Sequence, residues 1–432
     1  MNTVFSPIVV GPVIGKVTDT TARILVEFNV QGRVACVLTP AKGDVVKAIL
    51  DAPANIPVVF RFNGLKPSTE YKVTFEPPME SRKSSFTTLP TKLEGDDQIR
   101  FGIISCNEYQ YQSRLKPESD LWRDIRTKIQ NGEINYLLHI GDQVYMDMGP
   151  DEKEKPYYKC MQILNNTPRD QWNYRVYDLL QIIREEYRIS WGRQITAEVL
   201  ANVPNIMQFD DHEVRDDYGW RDEDRDPNTT KPDYFYTMLC RQVYYEYQRQ
   251  LREDIDFNNL ALYNTEYHLH NLSGVGVIFL DYRAVRGWNY DANDLGNSQL
   301  GKKQWNFLRK AFSDNGDFAN CQSVLFVSTI PCVVLVKKFT KMISKSIDDF
   351  KEHWVYNNHE EQGQVFDLLL EWKKAKPGRD VLIVGGDIHC GGHTDIFKNG
   401  QRALKQFVSS SIGNKIATKL QSFGLHVLKG LS

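Results

Sequence analysis

The feature of this sequence that most constrains its fold is a series of six short apolar runs separated by stretches of helical periodicity. The runs are FGIISC (101–106), NYLLHIGD (135–142), VPNIMQFDD (203–211), VGVIFLD (275–281), SVLFVST (323–329) and DVLIVGGD (380–387). Amphipathic stretches between and beside them include DLWRDIRTKIQ (120–130), QLGKKQWNFLRKAF (299–312) and QVFDLLLEWKK (364–374). Strands of almost continuous hydrophobicity that alternate with helices are typical of sheets covered on both faces. We therefore predict an α/β fold for this part of the chain.

A shorter segment of different residue composition precedes the alternating strands and helices. Residues 1 to about 88 are rich in Val, Thr and Phe, and TARILVEF (21–28) alternates as a half-buried strand does. The string GLKPSTEY (64–71) resembles the turn of fibronectin type III modules, whose tyrosine hydroxyl returns to the backbone as a tyrosine corner. We predict a small N-terminal all-β sandwich over residues 1–90. A supporting role is favoured over ligand binding, because no cluster of polar residues accompanies the strands.

The segment TTLPTKLEGDDQ (87–98) is polar and contains Pro90 and Gly95, as linkers do. The second domain is therefore predicted over residues 98–432. Its Tyr- and Arg-rich middle, about 150–260, is interpreted as a helical insertion carried by the α/β core.

Charge and composition narrow the classes of partner. The chain of 432 residues has a formal net charge of −2, which gives no electrostatic case for nucleic acid or an anionic membrane. An anionic substrate would then need local positive charge, from metal ions or from a few arginines.

Two further features bear on the cellular compartment. No segment is apolar and long enough to span a bilayer, and the N-terminus has no basic region before its apolar stretch. The seven cysteines are scattered and never form a C-x-x-C pair, which is typical of reduced thiols. A cytoplasmic protein is predicted.

Potential metal ligands close four of the six apolar runs: Cys106, Asp142, Asp211 and Asp387. Asp281 closes a fifth run. In open α/β sheets, ligands bind just beyond the carboxyl ends of the strands. A single carboxylate at a strand end is usually a turn residue, but the recurrence of such residues beside His and Tyr predicts a metal site.

The motif GDQVY (141–145) is the first that carries chemistry. Glycine allows a sharp turn after the strand, so the carboxylate of Asp142 could bridge two cations, and Tyr145 could return to the same site. A phenol, with a free pKa of about 10, is a poor ligand for Mg²⁺ or Zn²⁺, whereas a hard trivalent cation such as Fe³⁺ could deprotonate it. The alternative is a tyrosine that only makes a hydrogen bond.

The motif DDHE (210–213) offers a metal ligand and an acid. Asp211 could ligate a metal ion, while His212, held in orientation by Glu213, could donate a proton to a leaving group. The alternative is an acidic pair that caps the start of a helix.

The motif GGDIH (385–389) provides two more ligands. Its glycines permit close backbone approach at a strand end, and Asp387 and His389 leave the strand on one side, where both could ligate one centre. Cys390 and His393 follow closely, and we interpret them as supporting or structural residues.

Two remaining candidates have open alternatives. Cys106 could be an inert core thiol or, beside a cation, a thiolate ligand. Arg283 and Arg286 in LDYRAVR (280–286) lie just past a strand, and their guanidinium groups suit phosphate oxygens, although a surface ion pair is an equal alternative.

Taken in order, S-C, G-D-x-x-Y, D-D-H-E, L-D-x-R-x-x-R and G-D-x-H resemble the PhoD-like alkaline phosphatase/phosphodiesterase family of the calcineurin-like metallophosphoesterase superfamily. The resemblance spans about residues 1–412. It implies a four-layer αββα catalytic sandwich after an N-terminal fibronectin- or immunoglobulin-like β-sandwich. It also implies a binuclear or larger metal cluster, with Fe(III) and calcium or another divalent cation.

The same resemblance assigns roles by motif. Iron(III) would be held by Cys106, Asp142, Tyr145 and His389. Asp142 would bridge to a second metal ion held with Asp211 and Asp387, and His212 would lie near the leaving group. Asn107-Glu108 and Arg215-Asp216-Asp217 depart from the family pattern, which bears on any third metal site.

The predicted function is hydrolysis of phosphate monoesters, diesters or both, on a small-molecule or lipid-headgroup substrate. A metal-bridged hydroxide would attack phosphorus in line, with Arg283 and Arg286 stabilising the phosphoryl oxygens. One alternative is a non-catalytic metal-binding or regulatory protein on a phosphoesterase scaffold. A radical-type iron enzyme is disfavoured, because a carboxylate-rich site suits hydrolysis better.

Overall fold

The computed structural model describes residues 7–114, 116, 119–149, 151–219, 221–224, 226–284, 298–333, 354 and 359–414. Arg286, one of the two arginines predicted to bind phosphate, lies outside the described residues.

The N-terminal part contains two antiparallel sheets. Their strands are β1 (Ile8–Val17), β2 (Ala22–Phe28), β3 (Gly32–Pro40), β4 (Val46–Ala52), β5 (Val58–Phe62), β6 (Glu70–Glu76) and β7 (Ser85–Thr87). One sheet has the order β1-β2-β5 and the other the order β4-β3-β6-β7. Alternation along β6, in which Tyr71, Val73 and Phe75 are buried between exposed neighbours, produces the apolar face that the two sheets share.

The predicted tyrosine corner is present. Tyr71 is buried, and its hydroxyl oxygen accepts a hydrogen bond from the backbone N–H of Lys66 at 3.0 Å. The bond ties strand β6 to the preceding turn, which Gly64 enters with a φ of 70°.

Nine more strands form two further sheets. They are β8 (Phe101–Ile104), β9 (Tyr136–His139), β10 (Asn205–Met207), β11 (His268–Leu272), β12 (Val275–Phe279), β13 (Ser323–Val327), β14 (Asp380–Gly385), β15 (Gly392–Lys398) and β16 (Gln401–Val408). The smaller sheet, β10-β9-β8, is parallel. The larger has the order β11-β12-β13-β14-β16-β15, parallel except for its two edge strands. All six predicted apolar runs are strands of these sheets.

Eight α-helices lie in the described part of the chain. They are α1 (Tyr109–Ser113), α2 (Leu121–Gln130), α3 (Pro156–Asn165), α4 (Val176–Gly192), α5 (Gln194–Leu200), α6 (Asp233–Tyr247), α7 (Gly301–Ala311) and α8 (His359–Ala375). The three amphipathic segments predicted as helices correspond to α2, α7 and α8. None of the described helices combines the length and the apolarity that a membrane span requires.

Apolar contacts place helices and sheets against one another. Ile206 and Leu138 of the smaller sheet share a cluster with Phe279 and Val327 of the larger. The opposite face of the smaller sheet packs on α2 and α5 through Trp122 and Val199. The opposite face of the larger sheet packs on α7 and α8 through Leu308 and Leu369. Each sheet is thus covered on both faces, as the near-continuous apolar runs predict.

The helices of the middle segment pack on the N-terminal part. Ile183 of α4 and Val243 of α6 share one buried cluster with Val10 and Val13 of β1. The approach is close at Gly15, where a Cβ atom would lie 2.5 Å from the carbonyl oxygen of Leu251. The N-terminal sheet and the helical segment therefore form one packed unit.

Candidate metal centre

The strand ends that were predicted to carry metal ligands converge at one place. Cys106 follows β8, Asp142 follows β9, Asp211 follows β10 and Asp387 follows β14. Carboxylate oxygens of Asp142, Asp211 and Asp387, together with one of Asp210, all lie within 4.8 Å of one another. Residues separated by whole helices in sequence therefore share one acidic cluster.

The predicted soft and aromatic donors lie beside this cluster. The hydroxyl of Tyr145 is 3.3 Å from Asp142 Oδ2 and 3.3 Å from His389 Nε2. The Sγ atom of Cys106 is 3.7 Å from the carbonyl oxygen of Asp387. All six residues predicted as metal ligands are thus brought to one edge of the sheets.

Four of these six residues have left-handed backbone conformations. Their φ angles are 56° at Cys106, 55° at Asp142, 66° at Asp387 and 53° at His389. A non-glycine residue adopts this conformation rarely and at a cost in energy, and such residues concentrate at functional sites. The cluster is thus carried on turns whose backbone is held in a sparsely populated conformation.

Glycines allow the loops at the strand ends to approach one another closely. A Cβ at Gly386 would lie 3.0 Å from Ser105 Oγ, and a Cβ at Gly385 would lie 2.8 Å from the Cα of Pro331. Gly141 has a φ of 118°, and its Cβ would lie 2.8 Å from the Cβ of Asp210. Side chains at these positions would push the ligand-bearing loops apart.

His212 has a different partner from the one predicted. Its Nδ1 lies 2.9 Å from Asp147 Oδ1, and its ring stacks on Tyr145 at a centroid distance of 4.1 Å. Glu213, the predicted partner, instead accepts hydrogen bonds from the backbone N–H groups of Gln143 at 2.7 Å and Asp210 at 2.9 Å. The prediction was wrong because the Glu213 side chain turns back under its own 3-10 turn, Asp211–Glu213, away from the imidazole.

Buried charges around His212 set its protonation. Burial by itself lowers the pKa of His212, but the charges of Asp147 and Asp211 outweigh it, so the pKa lies well above its ordinary value. Asp147 is held in turn by the backbone N–H of Asp216, 2.5 Å from Asp147 Oδ2. Asp147 was missed at the sequence level, although it lies in the loop that carries Asp142.

Arg283 is buried within the acidic cluster. Its Nε lies 2.5 Å from Asp210 Oδ1, and its Nη2 lies 3.1 Å from Asp211 Oδ1 and 3.7 Å from Asp387 Oδ1. For Arg283 the alternative of a surface ion pair is therefore wrong, because only 2% of its side chain is exposed. Asp281, at the end of the same run, accepts backbone N–H groups of Arg283 and Ala284 and is a turn residue.

The electrostatics of the cluster favour bound cations. Burial raises the pKa of Asp142 well above its ordinary value, and the charge of Asp211 raises it further. Burial likewise raises the pKa of Cys106 and of Tyr145, and neighbouring negative charges add to both shifts. Asp142 Oδ1 is buried without a hydrogen-bond partner among the described residues. A carboxylate, a thiol and a phenol gathered in this way are suited to metal ions, whose charge would stabilise their ionised forms.

The segments Asn107-Glu108 and Arg215-Asp216-Asp217, which differ from the family pattern, make contacts in the protein interior. The Asn107 side chain accepts a hydrogen bond from Trp122 Nε1 at 3.0 Å, and Glu108 forms a buried ion pair with Lys155 at 2.9 Å. Arg215 pairs with Asp224 at 2.5 Å, likewise in the interior.

A family comparison places the chain in a class of metal-dependent phosphatases. The family model for PhoD-like phosphatases matches residues 101–424. The chain belongs to the PhoD-like phosphatase family, whose members are metal-dependent and act on phosphate esters.

Three solved structures are similar to this chain to different extents. A structure described as that of PhoD is similar over 96% of this chain and 79% of its own, with a TM-score of 0.69 at 14% sequence identity. GAP50, described as the anchor in the inner membrane complex of Plasmodium, covers 74% of this chain and 76% of its own at 8% identity and a TM-score of 0.29. A fibronectin type III domain of human collagen XX covers 20% of this chain and 95% of its own at 20% identity and a TM-score of 0.17. No curated protein sequence matches the chain at a significant level.

Proposed function

We propose that the protein hydrolyses phosphate monoesters, phosphodiesters or both, on a small-molecule or lipid-headgroup substrate, at the cluster around Asp142. The observation that carries the proposal is the convergence of carboxylate, thiol, phenol and imidazole donors at one sheet edge, around a buried carboxylate oxygen that lacks a hydrogen-bond partner among the described residues.

The donor set suits two or more ions of different character. Cys106, Tyr145, His389 and Asp142 would hold iron(III), and Asp142, Asp211 and Asp387 would hold calcium or another divalent cation. When bound, such ions lower the pKa of a water molecule and neutralise charge on the phosphoryl group. Asp210 is a further oxygen donor within reach of the second position.

His212 is proposed to protonate the leaving group of an in-line displacement. Its pairing with Asp147 fixes the ring and places a proton on Nδ1, while Tyr145 stacks on one face. Nε2 is then the nitrogen that points away from Asp147, and it lies 3.8 Å from the half-exposed Asp216. This geometry supports His212 as a proton donor beside the cluster.

Arg283 is proposed to act mainly by positioning carboxylates. Its guanidinium group forms ion pairs with Asp210 and Asp211, and these contacts hold the two carboxylates in place. A direct contact with phosphate oxygens by Arg283 or Arg286 stays a prediction.

The finer architecture is also a proposal. The layer order helix, small sheet, large sheet, helix supports a four-layer αββα catalytic domain over 98–432. The paired sheets and the Tyr71 corner support a fibronectin- or immunoglobulin-like sandwich over 1–90. The helical insertion at about 150–260 and the cytoplasmic location stay predictions.

Asp142→Asn tests the proposed function. The substitution keeps the shape of the side chain and tolerates the left-handed backbone, but it removes the charge that would be shared between two ions. We expect hydrolysis of p-nitrophenyl phosphate and of bis-p-nitrophenyl phosphate to fall about 100- to 1,000-fold, which is the loss that follows removal of one major electrostatic element of catalysis.

Asp395→Asn, at an exposed position of β15, is the control and should match the wild type. Turnover by Asp142→Asn near the wild-type rate would refute the assignment. Wild-type protein that binds metal ions but turns over neither ester would support the non-catalytic alternative.

The iron assignment has a separate test. A ferric ion bound by Tyr145 and Cys106 gives visible ligand-to-metal charge-transfer absorption, and Tyr145→Phe should remove the phenolate part of it and leave the thiolate part. A colourless, fully active protein would reject iron and leave the hydrolytic function standing.

A further inference from the structure

A buried chain of polar contacts runs from the N-terminal sheet to the turn that carries Asp142. The Nδ2 group of Asn205 donates to the carbonyl oxygen of Ile14 in β1 at 2.8 Å. Asn205 Oδ1 lies 2.8 Å from His139 Nε2, and His139 Nδ1 lies 2.5 Å from Gln143 Oε1. The exposures of Asn205, His139 and Gln143 are 0%, 1% and 2%.

The orientation of both amide side chains in this chain is fixed by their NH₂ groups. Asn205 Nδ2 also donates to the carbonyl oxygen of Val203 at 2.7 Å, and Gln143 Nε2 donates to that of Gly141 at 2.8 Å. A reversed amide would bring oxygen against oxygen in a buried site. Both amides therefore present their oxygen atoms to the imidazole of His139. Burial lowers the pKa of His139 to about 4, so the neutral ring donates its one N–H to one of these oxygens and contacts the other without a hydrogen bond.

Gln143 connects this chain of contacts to the turn that carries Asp142. It follows Asp142 directly, its backbone N–H donates to Glu213 Oε1 at 2.7 Å, and its carbonyl oxygen accepts from Asn107 Nδ2 at 3.2 Å. Asp142 has a φ of 55°, a conformation that persists only where the surroundings hold it. The side-chain contact with His139 is one of the contacts that hold this turn against the sheets, beside the backbone hydrogen bond from Asn107 N–H to the Asp142 carbonyl oxygen at 2.8 Å.

We propose that His139 is a positioning residue for the metal centre, at the middle of a relay that joins β1 to the Asp142 turn through Asn205 and Gln143. His139 touches neither substrate nor metal in this proposal; it fixes the direction of the Asp142 carboxylate. The inference rests on the proposed function only where it treats Asp142 as a metal ligand.

The structure supplies a matched control on the same strand. Tyr136, at the start of β9, is buried, and its hydroxyl accepts from Val17 N–H at 3.1 Å and donates to the Val17 carbonyl oxygen at 3.2 Å. Tyr136→Phe cuts this second connection between β9 and β1 without touching the relay. The comparison with Tyr136→Phe therefore distinguishes the effect of losing the relay from the effect of weakening the attachment of β9 to β1 in general.

The experiment compares His139→Leu, Asn205→Leu and Tyr136→Phe in the full chain. Hydrogen–deuterium exchange of the metal-free protein is followed in peptides covering 140–147, and Mn²⁺ binding is measured by titration calorimetry. Both relay variants should exchange at least tenfold faster at 140–147. They should also bind Mn²⁺ about tenfold more weakly, as loss of outer hydrogen bonds to ligands typically causes. Tyr136→Phe should match the wild type in both.

The inference would be overturned if both relay variants exchanged at the wild-type rate in peptides 140–147. It would also be overturned if Tyr136→Phe raised the exchange rate and weakened Mn²⁺ binding as much as the relay variants do. If His139→Leu fails to fold, the result for Asn205→Leu tests the inference by itself. That substitution removes the contact between Asn205 and His139, which is the part of the relay farther from Asp142. A wild-type protein that binds no Mn²⁺ and hydrolyses no ester would refute the proposed function, while the exchange data would still decide on the relay.

Discussion

Replacing Lys155 with methionine should destabilise the protein more than any exposed charge change. Lys155 Nζ lies 2.9 Å from Glu108 Oε2 and 2.6 Å from Glu186 Oε1, and the three side chains are 1%, 0% and 5% exposed. Burial raises the pKa of Glu186 to about 7 even with the ammonium beside it. Without Lys155, two buried carboxyl groups must be neutralised by protonation or remain as uncompensated charges.

The expected size follows from similar buried pairs. Removing one member of a buried ion pair costs about 3–5 kcal/mol, because the partner is left desolvated and unpaired. In a chain of 432 residues, whose entropy of unfolding is about 0.9 kcal/mol/K, that corresponds to a fall in Tm of roughly 3–6 °C. The loss should be smaller at pH 5 than at pH 8, because protonation of Glu108 and Glu186 removes the uncompensated charge.

Calorimetry and urea unfolding of Lys155→Met at both pH values measure this cost. Lys159→Met, one helical turn later in α3, is the control, because Lys159 pairs with Glu154 at the surface and should change stability little. The triple variant that adds Glu108→Gln and Glu186→Gln should regain part of the loss. A single variant within about 1 kcal/mol of the wild type, or a triple variant less stable than the single one, would refute the reasoning.

Three further predictions concern other parts of the fold. Tyr71→Phe removes the hydroxyl that closes the tyrosine corner and should cost about 1–2 kcal/mol in urea unfolding, with activity unchanged. Gly15→Ala should destabilise by about 1–3 kcal/mol, because its Cβ would lie 2.5 Å from the Leu251 carbonyl oxygen; an unchanged Tm would contradict that contact. Burial and nearby cations hold the pKa values of His268 and His270 well below 6.5, so the unfolded chain binds more protons in acid. Stability is therefore full above about pH 6.5 and falls below it by up to about 1.4 kcal/mol per pH unit for each ring, a slope that His268→Phe should reduce.

Much of the fold could be predicted because local patterns report it directly. Continuous apolar runs such as DVLIVGGD are strands, and amphipathic stretches such as QVFDLLLEWKK are helices. The rule that ligands bind beyond the carboxyl ends of parallel strands predicts Asp142 and Asp387 as site residues, and they converge because the two sheets that carry them pack face to face. Each of these inferences uses only neighbours in sequence and one general rule of topology.

Contacts between distant side chains could not be predicted in this way. Asp147 as the partner of His212, and Lys155 between Glu108 and Glu186, depend on how loops pack after the sheets have formed. Their sequence surroundings are those of ordinary surface charges. The incorrect choice of Glu213 shows the same limit, because adjacency in sequence suggested a contact that the 3-10 turn prevents.

The left-handed turns at the strand ends decide how the centre can be engineered. Alanine at Asp142 or Asp387 would remove a donor and also place a residue less suited to that backbone than aspartate, at a cost of up to about 1–2 kcal/mol, so a loss of function would mix two causes. Asparagine tolerates the conformation and separates them. A redesigned centre with other donors should therefore draw first on Asn, Asp and Gly, whereas β-branched residues would strain the loops before any ion arrives.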